Sequence, residues 1–147
     1  MQNIDDAYKW SLATAQALRK GDIAAIDMEE LIDEVESIAS GLRRELLSVL
    51  RAIIESLLVI GHTNASEKEK ADSDLQLVRS QGQLRLLLHS APSLQQIVAQ
   101  AVDESYGDVR GFVIEDYEVS LPEKCPIALE AMLEDPYERL VAEEELA

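Results

Sequence analysis

From Asp27 to Ile60 apolar side chains recur as Met28, Leu31, Ile32, Val35, Ile38, Leu42, Leu46, Val49, Leu50, Ile53, Leu57 and Ile60. Steps of three or four hold one stripe on a helix of 3.6 residues per turn, whereas a strand of period two would scatter them over both faces. The stretch therefore predicts one long amphipathic helix, or two end to end with a joint at Gly41. Glycine inside a helix costs about 1 kcal/mol against alanine, and Ser40 just before it is a residue type that caps a second helix. Unbroken, the element is about 50 Å long at ~1.5 Å per residue. Asp27 followed three residues on by Glu30 has capping-box spacing, and acids in a first turn suit the positive end of the helix dipole. The stripe is expected to be the buried spine against which the other helices stack.

The flanking segments read as helices too. Asp5 and Asp6 precede a helix from Ala7 to about Lys20, with Trp10, Ala13, Ala17, Tyr8 and Leu18 assigned to its inner face and Gly21 stopping it. The short link from Gly21 to Ile26 favours an antiparallel neighbour. From Gly61 to Ser73 large apolar side chains are nearly absent, which predicts an exposed loop or frayed end. A third helix is expected from about Asp74 to His89, with Ser73 and Gln76 at capping-box spacing and an apolar pattern wider than one stripe. Pro92 sets a boundary before a fourth helix that runs to about Asp116. Leu121-Pro122 and Cys125-Pro126 break the chain again before a short helix from Ile127 to Leu133, ended by Asp135-Pro136. The fold class expected is all-α: an antiparallel four-helix bundle built on one long helix, kinked or straight at Gly41, plus a short C-terminal helix. The 147 residues read as one domain, with a core from about 5 to 137 and an acidic tail from 138 to 147.

Charge narrows the function classes. With 13 basic against 29 acidic residues, net -16, the surface repels phosphate backbones and anionic lipids, so neither nucleic acid nor membrane is an expected partner. The most apolar run, Leu46 to Ile60, is shorter than the ~20 residues of a membrane span and contains Arg51 and Glu55. A single cysteine, Cys125, fits a reducing compartment, and the N-terminus lacks a signal-peptide layout; the expected location is cytoplasmic. Arg43, Arg44, Lys9, Arg19 and Lys20 are scattered among acids, as on a salt-bridged surface.

Several stretches carry a resemblance. Asp6-Ala7-Tyr8-Lys9-Trp10, the run Glu29 to Ile38, Arg43-Arg44-Glu45-Leu46, Pro92-Ser93-Leu94, Tyr106-Gly107-Asp108-Val109-Arg110, and Pro122 followed by Cys125-Pro126 stand in order over residues 5 to 137. This ordered set resembles a bacterial family, frequent in cyanobacteria, catalogued as domain of unknown function number 29. The resemblance implies an all-helical protein and supplies no substrate. The sequence departs from the family where a histidine often stands, at Ser56, where a tryptophan is common, near Ser73, and where a Gln-Arg pair is common, near Ser80 and Gln81. Any family activity that rests on those residues is incomplete here.

Chemistry has few candidates. Glu29, Glu30, Asp33, Glu34 and Glu36 gather five carboxylates in eight residues, and Glu29-Glu30-Leu31-Ile32-Asp33 is faintly similar to the magnesium box of all-helical nucleotide pyrophosphatases. Magnesium demands an octahedron of oxygens, so a second box is required, and Glu69 to Asp72 has the spacing but falls in the segment read as loop. The same acids also make an ordinary solvated helix face. Neither His62 nor His89 follows a glutamate by three residues, so di-iron spacing fails, and each sits where a helix C-terminus favours an imidazole. Cys125 has no base beside it in the sequence and reads as a small buried residue at a turn. Trp10 with Tyr8 reads as core before it reads as a partner anchor.

The function expected is therefore that of a soluble acidic protein–protein interaction or self-associating module, without catalysis or cofactor, holding a protein partner or forming a homodimer. The apolar width of the third helix motivates this. The alternative is a magnesium-dependent hydrolase of phosphorylated small molecules, with the metal on Glu29, Glu30, Asp33 and Glu36.

Overall fold

The computed structural model describes residues 6–134, and the elements run α1 (Ala7–Lys20), a 3-10 turn (Ile23–Ala25), α2 (Met28–His62), α3 (Glu67–Ser90), a 3-10 segment (Pro92–Ile97), α4 (Val98–Tyr117) and α5 (Leu129–Leu133). The all-α expectation holds, with four long helices and one short one among the described residues. The expected tail from 138 and the Asp135-Pro136 stop lie outside the described residues. None of the described helices is long and apolar enough to cross a membrane. Close packing divides the chain into two compact units, with the boundary between Leu42 and Arg43.

In the first unit, Asp6 caps α1, its Oδ1 accepting the Lys9 N–H at 3.0 Å. The helix ends where Gly21 adopts a left-handed φ of 70°, which lets the Gly21 and Asp22 N–H groups donate to the Leu18 and Ala17 carbonyls. An L side chain adopts that dihedral only at a cost of about 1–2 kcal/mol, so glycine is favoured there. Asp27 Oδ1 accepts the Glu30 N–H at 3.2 Å, the cap expected at the start of α2. Of the inward assignments on α1, Trp10 and Ala17 are half-buried, while Ala13, Tyr8 and Leu18 are exposed.

α2 is continuous through Gly41. Its neighbours leave room, since a Cβ built there meets nothing within 4 Å. The helix is covered from Leu46 onward, where Leu46, Leu50, Ile53, Ile54 and Leu58 lose all exposure. At roughly 1.5–3 kcal/mol per fully buried side chain, these residues supply a large share of the driving force for folding. They form a core with Leu77, Leu84 and Leu87 of α3, Val98, Ala101, Val102, Tyr106, Val109 and Val113 of α4, and Met132 of α5.

Arg43 pairs with Glu104 at 2.7 Å, Ser105 Oγ donates to the Leu47 carbonyl at 3.4 Å, and Arg51 pairs with Asp108 at 3.0 Å. Both numbers rise together along these contacts, so the second half of α2 and α4 run in the same direction, with α3 as the returning helix. The ion pairs are half-exposed and contribute about 0–1 kcal/mol each.

The turn into α3 corrects the sequence reading. α2 runs to His62 and α3 begins at Glu67, so residues 67–73 are helical and not loop. The cap is not Ser73 but Ser66: its Oγ accepts the Glu69 N–H at 3.2 Å, and Glu69 returns to accept the Ser66 N–H at 2.8 Å. A capping box satisfies two orphan donors without any apolar residue, so hydrophobic periodicity could not reveal it. Thr63 completes the link, donating to the Val59 carbonyl and accepting the Ala65 N–H.

At the other end, Tyr106 Oη and Arg110 Nε both donate to the Pro122 carbonyl, and Arg110 Nη2 donates to that of Leu121 at 2.8 Å. The segment after α4 is thereby fastened back on the helix it leaves. α5 starts at Leu129, two residues later than expected, and the Ala131 carbonyl accepts from the buried Gln81 Nε2 at 3.1 Å.

Two outcomes follow. Leu50→Ala and Ile53→Ala each lower the unfolding free energy by about 2–5 kcal/mol, whereas Val35→Ala in dilute protein shifts it by no more than about 0.5 kcal/mol, as read by urea denaturation. The box also predicts a pH slope. Hydrogen bonds from the Ser66 N–H and hydroxyl hold the Glu69 carboxyl below its ordinary value of 4.5, so its contribution is present above that value and lost as pH falls through the depressed one. Glu69→Ala removes that part of the acid destabilisation, and thermal melts between neutral pH and pH 3 should show a shallower fall than wild type.

Candidate interaction surface

The first half of α2 does not behave as a spine. Met28, Ile32, Val35 and Ile38 are 41%, 48%, 58% and 63% exposed, and Leu31 and Leu42 are half-buried. On a helix turning 100° per residue these positions share one sector, so the exposure is a continuous stripe and not scattered single residues. Tyr8, Leu12 and Leu18 on α1 and Ile23 in the turn after it are exposed as well. Among residues 6–42 only Thr14 and Glu30 are buried.

The expectation of a ridge buried from Met28 is thus met only from Leu46. A stripe is buried when something packs on it, and periodicity records the stripe without recording the packing. Apolar residues scattered on a surface need no explanation, but a contiguous bare face marks a binding surface. Roughly half of the ~1.5–3 kcal/mol available from each of these side chains stays unrealised in the single chain. On α3 the breadth seen in the sequence is partly absorbed, with Leu77, Leu84 and Leu87 buried and Leu75 and Leu86 exposed.

The carboxylate cluster lies on the same helix. Glu29, Asp33 and Glu36 are exposed, and Glu30 is buried. The possible second box, Glu69 with Asp72, is helical after all, and Glu69 is engaged at the cap of α3. Among the described residues no group of three or more His, Cys, Asp or Glu side chains is placed to hold a metal ion. Glu69, Asp116 and Glu118 line a shallow cleft with Asn64, Ala65 and Tyr117. Desolvation, then the charges of Glu69, Glu55 and Asp116, push the Tyr117 hydroxyl above its ordinary value, as expected of a field that is negative throughout.

A larger open cleft of about 520 Å³ lies between α4 and the segment that Tyr106 and Arg110 fasten, lined by Ala99, Val102, Asp103, Tyr106, Glu123, Lys124, Cys125, Ile127 and Leu129. Desolvation raises the Cys125 thiol, a backbone hydrogen bond with Ile127 partly offsets this, and Asp103 raises it further. A raised thiol is protonated at neutral pH and is a poor nucleophile. His62 and His89 occupy the last turns of α2 and α3, where the sequence placed them, and both are exposed.

Sequence reasoning missed Arg110 as the clamp on Pro122 and Ser66 with Glu69 as the cap; the Ser-x-x-Glu spacing was present for the second, and nothing local pointed to the first. The departures from the resembled family fall in packed places. Ser56 is buried in α2 and donates to the Ala52 carbonyl at 2.8 Å, and Ser80 and Gln81 are buried on α3.

A family model described as "Domain of unknown function DUF29" matches residues 4–138, across the ordered motifs quoted above. No curated protein and no solved structure matches the chain.

The raised thiol has a direct readout. Cys125 should react with iodoacetamide at pH 7.5 more slowly than a small free thiol such as glutathione, with its rate still climbing above pH 9, the ordinary cysteine value. A rate equal to or faster than the free thiol would show an activated cysteine.

Proposed function

The chain belongs to the DUF29 family, whose name assigns no chemistry, and on that premise we propose that it is an interaction module that works by covering apolar helix surface with protein. The observation that carries this reading is the bare stripe Met28, Ile32, Val35 and Ile38 on α2, in a unit whose buried residues among those described are Thr14 and Glu30 alone. A helical segment with so small a core gains most by acquiring a partner face, since burial on association is driven by the same transfer of apolar area as folding. The acids toward one edge of the stripe, Glu29 and Glu36, then serve as a polar rim that keeps the face soluble and excludes anionic surfaces. Catalysis has less to stand on: the one thiol is held protonated, and the carboxylates lie on a solvated helix face. A reducing, cytoplasmic setting suits the free Cys125.

Sedimentation velocity over low to high micromolar concentrations tests the reading. Wild-type protein should sediment as an assembly that grows with concentration, and Ile32→Ser/Val35→Ser/Ile38→Ser should shift it to monomer while leaving the melting of the second unit intact. A wild-type chain that stays monomeric throughout, with the triple variant indistinguishable from it, would contradict the proposal.

A further inference from the structure

We infer that the cleft between α4 and the segment fastened by Tyr106 and Arg110 is a binding site for a primary alkylammonium group, the chemistry shared by a polyamine and by the side chain of lysine. The site lies within the second unit and owes nothing to the bare stripe on α2.

Shape is the first argument. The cleft holds about 520 Å³, inside the roughly 300–1,000 Å³ of small-ligand sites. One wall is the helix α4, and the other is a segment whose Leu121 and Pro122 carbonyls accept from Arg110 and Tyr106. A wall that is fastened before the ligand arrives has little ordering left to pay on binding.

The chemistry of the lining is the second. Val102, Ile127 and Leu129 make an apolar floor, and each wall adds one carboxylate, Asp103 on α4 and Glu123 on the fastened segment. Among the described residues neither carboxylate makes an ion pair or a side-chain hydrogen bond, and the Arg110 guanidinium is engaged with the two carbonyls. Lys124, also in the lining, is exposed and makes no ion pair among the described residues, so two carboxylates against one ammonium leave the cleft one negative charge at neutral pH. An ammonium on an alkyl stem meets both demands: the stem covers the floor, and the three donors of the head reach carboxylate oxygens on both walls.

The field is the third. Asp103 pushes up the Cys125 thiol on the opposite wall, so its charge acts across the cleft. The net charge of -16 draws cations toward the chain and turns anions away. A carboxylate or phosphate ligand is disfavoured on that ground, and a neutral ligand leaves both carboxylates uncompensated.

Titration of isotope-labelled protein with n-butylammonium at physiological ionic strength, followed by amide chemical shifts, tests the site. Shifts should appear at Val102, Asp103, Glu123 and Cys125 and saturate with a Kd of about 1–10 mM, while n-butanol binds at least about threefold more weakly and butyrate leaves these amides unmoved. Asp103→Asn and Glu123→Gln, both at exposed positions, should each weaken n-butylammonium about threefold to fivefold, the contribution of one exposed ion pair, and Glu115→Gln, on α4 outside the cleft, should leave it unchanged. Spermidine and Nα-acetyl-lysine amide separate the two sources: the tighter binder assigns the site to a polyamine or to a protein's lysine. Equal binding of n-butanol and n-butylammonium, or no shift at these four amides at tenfold higher concentration, overturns the inference. Shifts spread over the acidic surface and weakened as much by Glu115→Gln as by Asp103→Asn would mean a diffuse ion atmosphere only, and overturn it too.

Discussion

Burial of the second half of α2 is the constraint on which the remaining structure depends. From Leu46 to Val59 the helix presents apolar side chains over more than one stripe, and α3, α4 and the Met132 turn of α5 close around it. That requirement fixes the direction of α4, whose Glu104, Ser105 and Asp108 meet Arg43, Leu47 and Arg51 in ascending order. It also explains why the helix runs on through Gly41. Packing that begins only a few residues later, together with unbroken backbone bonds, outweighs a propensity cost of about 1 kcal/mol.

Polar bonds decide where the elements end. Gly21, Ser66 with Glu69, and the Tyr106 and Arg110 bonds to Pro122 each consume backbone groups that a helix terminus or turn leaves orphaned. None of them adds much energy alone. Together they set where the helices stop, and they hold the segment carrying Cys125 against α4, in surroundings that keep its thiol protonated.

What the sequence disclosed follows the same division. Helix number, the long α2, the Gly21 stop, the Asp27 cap and the Pro92 boundary were legible because each has a local cause in periodicity or dihedral preference. The start of α3 was misplaced by seven residues, from Glu67 to Asp74, because its first turns carry Glu, Lys and Asp and no apolar marker. The fate of Met28, Ile32, Val35 and Ile38 was hidden for a deeper reason. An apolar stripe reads identically whether it is covered by its own chain or waits for another, and only coordinates show that the cover starts at Leu46. The carboxylates Glu29, Glu30, Asp33 and Glu36 stand on α2 as the spacing implied, and helical geometry places Glu29 and Glu36 toward one edge of the bare stripe and Asp33 on the opposite face.

A family named without a chemistry, a thiol held protonated and an uncovered apolar face together favour a protein whose work is association. Its central physical claim is that one helix is half core and half interface. Amide hydrogen exchange followed along α2 at several protein concentrations measures this most directly. Slow exchange is expected over residues 46–59 at every concentration, with protection over residues 30–42 that grows as the protein is concentrated. Equal, concentration-independent protection along both halves would contradict it.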